Sequence, residues 1–107
     1  MKIGKEYADG QLILYLTGEL DHHSARGAMQ VIEQEMEDAL PRLCILEMSG
    51  LSFMDSSGIA LILKAQKLAK VQGGQVRVEN PSRQALRVME TSGIERIVPI
   101  VQKIGKE

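Results

Sequence analysis

The sequence predicts a single α/β domain over residues 1–107, with a mixed sheet of four to five strands, an N-terminal hairpin and about three to four helices. Short apolar runs alternate with stretches that carry apolar residues at steps of three and four, the pattern of strands alternating with helices. Such alternation implies right-handed crossovers and parallel strands. A turn signal alone separates the first two runs, which adds an antiparallel hairpin at one edge.

The first half of the chain predicts the hairpin and one helix. Residues 2–7 and 11–17 are candidate strands on either side of Ala8-Asp9-Gly10, a turn signal because Asp-Gly tolerates positive φ. Residues 18–23 are expected to form a loop. The pattern is then helical up to Pro41, which cannot continue a helix. The buried stripe of this helix comprises Ala25, Ala28, Met29, Ile32, Met36 and Ala39.

The second half repeats the order of strand and helix. Residues 43–48 form a short apolar strand, and residues 57–72 form a helix that Gly73-Gly74 closes with a left-handed cap. Residues 75–79 alternate with period two, which predicts a strand with one polar face.

Two further elements complete the predicted fold. Asn80 and Pro81 predict the start of a third helix, with asparagine as the cap and proline at the first helical position. Thr91-Ser92-Gly93 ends that helix. Residues 97–101 are a candidate last strand, which Pro99 places at an edge of the sheet. The buried side of the helix comprises Ala85, Leu86, Val88 and Met89.

Composition disfavours several partners. The net charge is −1 and aromatic residues make up 3%, so no nucleic-acid or membrane partner is expected. The single cysteine, Cys44, cannot form an internal disulfide, and no apolar run resembles a signal peptide or a membrane span. We therefore expect a cytoplasmic protein, and no motif predicts a cofactor.

The stretch from Leu43 to Val71 organises the chain, because it places Asp55-Ser56-Ser57-Gly58 between a buried strand and a helix. One interpretation is a helix cap alone, since Asp and Ser oxygens accept hydrogen bonds from the first helical turn. The other is a functional site, because α/β sheets place their sites at strand ends and one cap needs fewer hydroxyls. A helix N-terminus also favours an anion.

Other classes of site lack part of their machinery. A serine hydrolase requires a Gly-x-Ser-x-Gly elbow, and no glycine stands two residues before either serine. A receiver-like domain would use Asp55 as its phosphoacceptor, but the acidic pair after its first strand is missing. A nucleotide-binding module requires a glycine-rich loop with lysine. Asp21-His22-His23 lacks the further ligands of a metal site, which leaves a helix cap or a base for Ser57.

Several motifs in order resemble one family. Leu51 to Ile59, which contains Asp55-Ser56-Ser57-Gly58, is similar to the signature of the STAS family, specifically of bacterial anti-sigma factor antagonists. Gly18 to Ala25 resembles the second motif of that family. Gly73-Gly74 before a strand and Thr91 to Ile94 after the third helix also match. The resemblance covers nearly the whole chain and is greatest to the sporulation antagonists.

The resemblance implies a partner-switching regulator and not an enzyme. In this family the unphosphorylated antagonist binds an anti-sigma factor, which is also a serine kinase, and so releases the sigma factor. The kinase uses ATP to phosphorylate the serine before the glycine, here Ser57, and a PP2C-type serine phosphatase removes the phosphate. The loop with Asp21 is implied to lie nearby on the docking surface. Glu47 departs from the pattern, since many relatives carry aspartate there. The alternatives are a receiver-like phospho-Asp signalling domain and a nucleotide-sensing STAS module.

Helical periodicity adds detail to the implied docking surface. Gly58 is expected to leave room for a kinase active site beside Ser57, and Met54 is expected in an exposed loop at the rim of an apolar patch. Ile59 and Leu63 lie off the stripe that faces the sheet, so they are either core residues or that patch. The stripe comprises Gly58, Leu61, Ile62, Ala65, Leu68 and Ala69. The partner-binding set is Asp21, Met54, Asp55, Ser56, Gly58, Ile59 and Leu63.

Overall fold

The computed structural model describes residues 1–103, and it confirms the predicted α/β fold with a five-stranded mixed sheet and three α-helices in that range. The strands are β1 (Lys2–Ala8), β2 (Gln11–Leu20), β3 (Leu43–Met54), β4 (Gln75–Glu79) and β5 (Ile100–Val101). The helices are α1 (Ala25–Ala39), α2 (Ser56–Val71) and α3 (Arg83–Ser92), and a short 3-10 helix covers Ile94–Arg96.

The strands follow one another across the sheet in the order β1-β2-β3-β4-β5. β1 and β2 are antiparallel, whereas β2, β3, β4 and β5 are parallel. Asp9 and Gly10 form the hairpin turn at φ 55° and 79°, which is the left-handed conformation expected of Asp-Gly. The hairpin therefore supplies the antiparallel edge, as predicted.

The three helices cover one face of the sheet. Each parallel strand is added on the same side of the strand before it, so right-handed crossovers place every helix on the same face. α2 lies between α1 and α3 and contacts both. The largest fully buried side chains form the core beneath them: Leu12, Leu14, Leu16, Leu20, Ile32, Met36, Leu46, Met48, Met54, Leu61, Ile62 and Met89.

β2 and β3 are both longer than the sequence predicts. The predicted loop 18–23 begins only after Leu20, and residues 49–54 continue β3 up to Met54. Gly18, at φ 111°, lies where the β2–β3 register shifts, and the two strands then pair until Leu20 meets Met54. The polar and glycine-rich composition of these segments hides strands that the neighbouring strand stabilises.

Ser82, and not Asn80, caps the third helix. The Ser82 hydroxyl accepts a hydrogen bond of 3.1 Å from the Ala85 N–H. Asn80 lies before the helix at φ 56°, and its amide donates to the Glu47 carboxylate at 2.9 Å. Its side-chain oxygen accepts the Lys103 N–H at 2.7 Å. The prediction of Asn80 as the cap is therefore wrong, because this side chain bridges β3 to the segment after β5.

The last strand is shorter than predicted but lies at the expected edge. β5 is the two-residue edge strand beside β4. Pro99 precedes it, and its carbonyl accepts the Val78 N–H at 2.9 Å. A proline fits this position because an edge residue needs no second ladder bond.

Cys44 is buried in the core on β3. Desolvation raises the pKa of its thiol to about 12, so the thiol stays protonated and unreactive near neutral pH. None of the helices in residues 1–103 has both the length and the apolar character needed to cross a membrane.

Candidate functional site

The site lies where two neighbouring parallel strands end. Leu20 and Met54 are paired as the last residues of β2 and β3, and the Asp55 N–H donates to the Leu20 carbonyl at 3.2 Å. Asp21 and Asp55, the residues that follow the two strands, therefore leave the same edge of the sheet. This carboxyl edge is where α/β proteins place their sites.

Asp55 caps α2 with its side chain. Its backbone is extended at φ −117° and ψ −168°, and its Oδ1 accepts the Ser57 N–H at 2.8 Å. Because the carboxylate makes the cap, the hydroxyls of Ser56 and Ser57 are not used for it. Ser56 is exposed and Ser57 is half-buried in the first turn. Asp55 is also the residue that a receiver-like domain would phosphorylate, and here its carboxylate is already hydrogen-bonded as the helix cap.

Met54 is not exposed, contrary to the prediction. It is the last residue of β3, its side chain is 0% exposed, and it belongs to the core. A Cβ added to Gly58 would lie 2.6 Å from Met54 Cγ. Because glycine has no side chain, α2 can pack closely against Met54. Gly58 therefore makes room for Met54 and not for a kinase. Both residues support the turn from below and present no surface to a partner.

Gln84 on α3 holds the end of β3 in place. Its Oε1 accepts the Met54 N–H at 2.9 Å, and its Nε2 donates to the Met54 carbonyl at 2.7 Å. β4 pairs with β3 only as far as Glu79 opposite Glu47, so at Met54 one side-chain amide replaces the missing strand. The sequence does not single out Gln84, because a glutamine at an exposed position of a helix carries no signal of a distant contact.

Replacing Gln84 tests this contact. Gln84→Ala is expected to lower the free energy of unfolding by about 1–3 kcal/mol, because both backbone groups of Met54 lose their partner. Chemical denaturation measures the change. Gln34→Ala is the matched control, since the Gln34 amide bonds Asp38 at 3.0 Å on the exposed side of α1. Its effect should stay within about 0.5 kcal/mol, and equal losses in the two variants would contradict the role of Gln84.

Asp21 closes the turn that leads into α1. Its Oδ1 accepts the N–H groups of His23 and Ser24, both at 3.0 Å. The Ser24 N–H is the main reason that the pKa of Asp21 is lowered, with further help from the N–H of His23, so the carboxylate is charged at neutral pH. Asp21 thus acts as the cap of this turn, while its contact with a partner stays a prediction.

The neighbouring histidines pack against each other in the turn before α1. The ring centroids of His22 and His23 lie 3.9 Å apart in the same turn. Within residues 1–103, His, Cys, Asp and Glu side chains do not gather in groups of three that would hold a metal ion.

The apolar positions of α2 divide as the periodicity indicates. The predicted stripe is buried except at Leu68, which is half-buried. Ile59 is partly buried against the core, whereas Leu63 is 38% exposed. Phe53, near the end of β3, is 39% exposed as well. Leu63 is therefore not a core residue, which leaves it free to contact a partner.

A groove of about 420 Å³ separates α1 from α2 and begins at the serine turn. Its lining combines apolar and charged residues: Ala25, Arg26, Met29, Gln30, Glu33, Ser57, Ala60, Leu61 and Lys64. Ser57 therefore lies at the groove between the two helices, whereas the Met54 side chain fills the space below the turn.

These features define a small α/β domain that presents a serine hydroxyl on the first turn of a helix, with no catalytic elbow around it. The chain belongs to the STAS domain family, whose model matches residues 2–107.

Anti-sigma factor antagonists are among the proteins that this chain resembles. The chain is 35% identical over 104 residues to the anti-sigma F factor antagonist of Paenibacillus polymyxa, covering 94% of this chain and 86% of the relative. The fold matches the anti-sigma factor antagonist SpoIIAA in its unphosphorylated form with a TM-score of 0.82 at 26% identity, over 96% and 89% of the two chains. The fold also matches the phosphorylated form of the Bacillus cell fate determinant SpoIIAA. The TM-score is 0.73 at 26% identity, and the match covers 96% of this chain and 92% of that one.

Proposed function

We propose that this protein is an anti-sigma factor antagonist controlled by phosphorylation of Ser57. In the unphosphorylated state it binds an anti-sigma factor serine kinase in the cytoplasm, and the bound sigma factor is released. Phosphorylation ends that binding, and a PP2C-type serine phosphatase restores it. The protein acts by binding and not as an enzyme. The observation that carries the proposal is the Ser57 hydroxyl, held on a capped helix turn but left out of the cap.

A phosphate at this position is compatible with the fold. It adds about −1.5 to −2 charges near neutral pH. The N-terminus of a helix favours such a charge through its dipole and its N–H groups. The domain should therefore stay folded while its docking surface changes. Support for a switch of this kind comes from relatives whose solved structures include an unphosphorylated and a phosphorylated form.

The two adjacent serines allow a direct test of the acceptor. Incubation with a candidate kinase and ATP should add one phosphate to Ser56→Ala and none to Ser57→Ala, as recorded by intact mass. The phosphate should survive acid as a serine ester, whereas an acyl phosphate on Asp55 would hydrolyse. One phosphate on Ser57→Ala and none on Ser56→Ala would contradict the assignment.

Leu63 is proposed to contact the kinase together with Ile59, Asp21, Asp55 and Ser56 around the serine turn. Because its side chain is already 38% exposed, Leu63→Ser should change the free energy of unfolding by about 1 kcal/mol or less. Binding to the anti-sigma factor should fall roughly tenfold or more, the effect of losing about 1.4 kcal/mol at an interface.

A control on the same helix separates docking from general surface effects. Val71 is 85% exposed at the far end of α2, so Val71→Ser should alter neither melting nor binding. Titration calorimetry and thermal melting of each variant provide the comparison. A stability loss of about 2–5 kcal/mol for Leu63→Ser, the cost of a buried leucine, would rule out docking for this residue.

A further inference from the structure

Arg26 and Ser57 occupy equivalent positions on two neighbouring helices. Each is the second residue of its helix, in α1 and α2 respectively. The strands that precede these helices are parallel and end side by side, so α1 and α2 run in the same direction from the same edge of the sheet. Both residues line the groove between the helices. The arginine therefore lies at the same end of the groove as the serine hydroxyl.

The two ends of the groove differ in their charged residues. Glu33 and Lys64 each follow Arg26 and Ser57 by seven residues, which is two helical turns on the same face. Both line the groove, so an anion and a cation lie together at its far end. At the near end, Arg26 makes no salt bridge within residues 1–103. A phosphate on Ser57 would meet there a cation that forms no ion pair with another side chain of the described residues.

We propose that Arg26 binds the phosphate of phosphorylated Ser57 across the groove, so that the modified protein holds its own phosphate. The planar guanidinium suits a phosphate because it donates two parallel N–H···O bonds. This inference rests on Ser57 as the modified residue. It adds a regulatory role for α1, because a phosphate paired with Arg26 is drawn into the groove and is less open to a phosphatase.

The pairing predicts a change in the titration of the phosphate. A nearby cation favours the dianion over the monoanion, whereas the Asp55 carboxylate, which accepts the Ser57 N–H at 2.8 Å, disfavours it in every variant. The second phosphate pKa should therefore be lower with Arg26 present than without it. Removing Arg26 should therefore raise the proton affinity of the phosphate roughly two- to fivefold, the size expected for a surface ion pair.

The experiment installs phosphoserine at position 57 by codon suppression and follows the ³¹P chemical shift against pH. Arg26→Ala should raise the phosphate pKa, and Arg26→Lys should restore part of the difference. Lys70→Ala, on the last turn of α2, is the control and should leave the pKa unchanged. The same pKa in the unsubstituted protein and in Arg26→Ala would overturn the proposal.

This test is independent of any kinase, because the phosphate is supplied during synthesis. A kinase that ignores Ser57 would overturn the proposed function and leave the titration result standing. Dephosphorylation by a PP2C-type phosphatase gives a second readout, with faster release expected from Arg26→Ala than from Lys70→Ala. Equal rates would contradict the protective role of Arg26.

Discussion

Ser57→Asp is expected to weaken binding to the anti-sigma factor by a hundredfold or more while the domain stays folded. A carboxylate on the first turn of α2 is favoured by about 0.3–1 kcal/mol. The same charge, buried without a partner at an interface, costs about 3–5 kcal/mol, and each 1.4 kcal/mol is tenfold in affinity at about 25 °C. The cost at the interface exceeds the gain at the helix end. The substitution should therefore weaken binding strongly while the domain remains folded.

Thermal melting and titration calorimetry on one preparation test this result. Ser57→Asn is the control, because asparagine has nearly the same shape as aspartate and no charge. Binding by Ser57→Asn should be clearly stronger than binding by Ser57→Asp. Undiminished binding by a normally folded Ser57→Asp would remove the electrostatic account of the switch.

Met54→Ala should destabilise the protein by about 2–5 kcal/mol, although the residue lies directly beside the serine turn. The side chain is fully buried, and its removal leaves a cavity between the end of β3 and α2. Met54→Leu keeps the volume and should cost less than about 1.5 kcal/mol. Denaturant titration distinguishes the two. If Met54→Ala leaves the free energy of unfolding almost unchanged, Met54 is not buried, and the exposed position that the sequence predicts would be correct.

A double-mutant cycle isolates the contact between Met54 and Gly58. In the unsubstituted protein, Gly58→Ala places its Cβ 2.6 Å from Met54 Cγ and displaces that side chain. With alanine at position 54, the same methyl group enters the vacated space, so Gly58→Ala should then be less costly. The coupling should be about 0.5–3 kcal/mol. Purely additive effects would show that Gly58 does not make room for Met54.

The sequence predicts those parts of the fold that local chemistry decides. Asp9-Gly10 must turn, Gly73 adopts φ 81° after α2, and the spacing of Leu61, Ile62 and Ala65 fixes which side of that helix is buried. Asp55 was also recognisable as a cap. In each case the deciding contacts lie within a few residues along the chain.

Contacts between residues that are far apart in the chain could not be predicted from the sequence. Residues 49–54 contain serine and glycine, and they are a strand because β2 lies beside them. Met54 is buried because Gly58 lacks a side chain above it, and Gln84 reaches its backbone from 30 positions away. Asn80 has the residue type of a cap, but its side chain contacts Glu47 and Lys103, which lie 33 and 23 positions away. None of these pairings leaves a periodic pattern.

Strands that are neighbours in this sheet are also consecutive in the chain. Each parallel strand therefore pairs with the strand that precedes it in the sequence, one helix earlier. During synthesis, each new strand of the growing chain can join an edge that already exists. The turn that carries Ser57 follows β3, but Gln84 leaves the ribosome later. A nascent chain should therefore pair β1 to β4 first and anchor the phosphorylation turn only once α3 has formed.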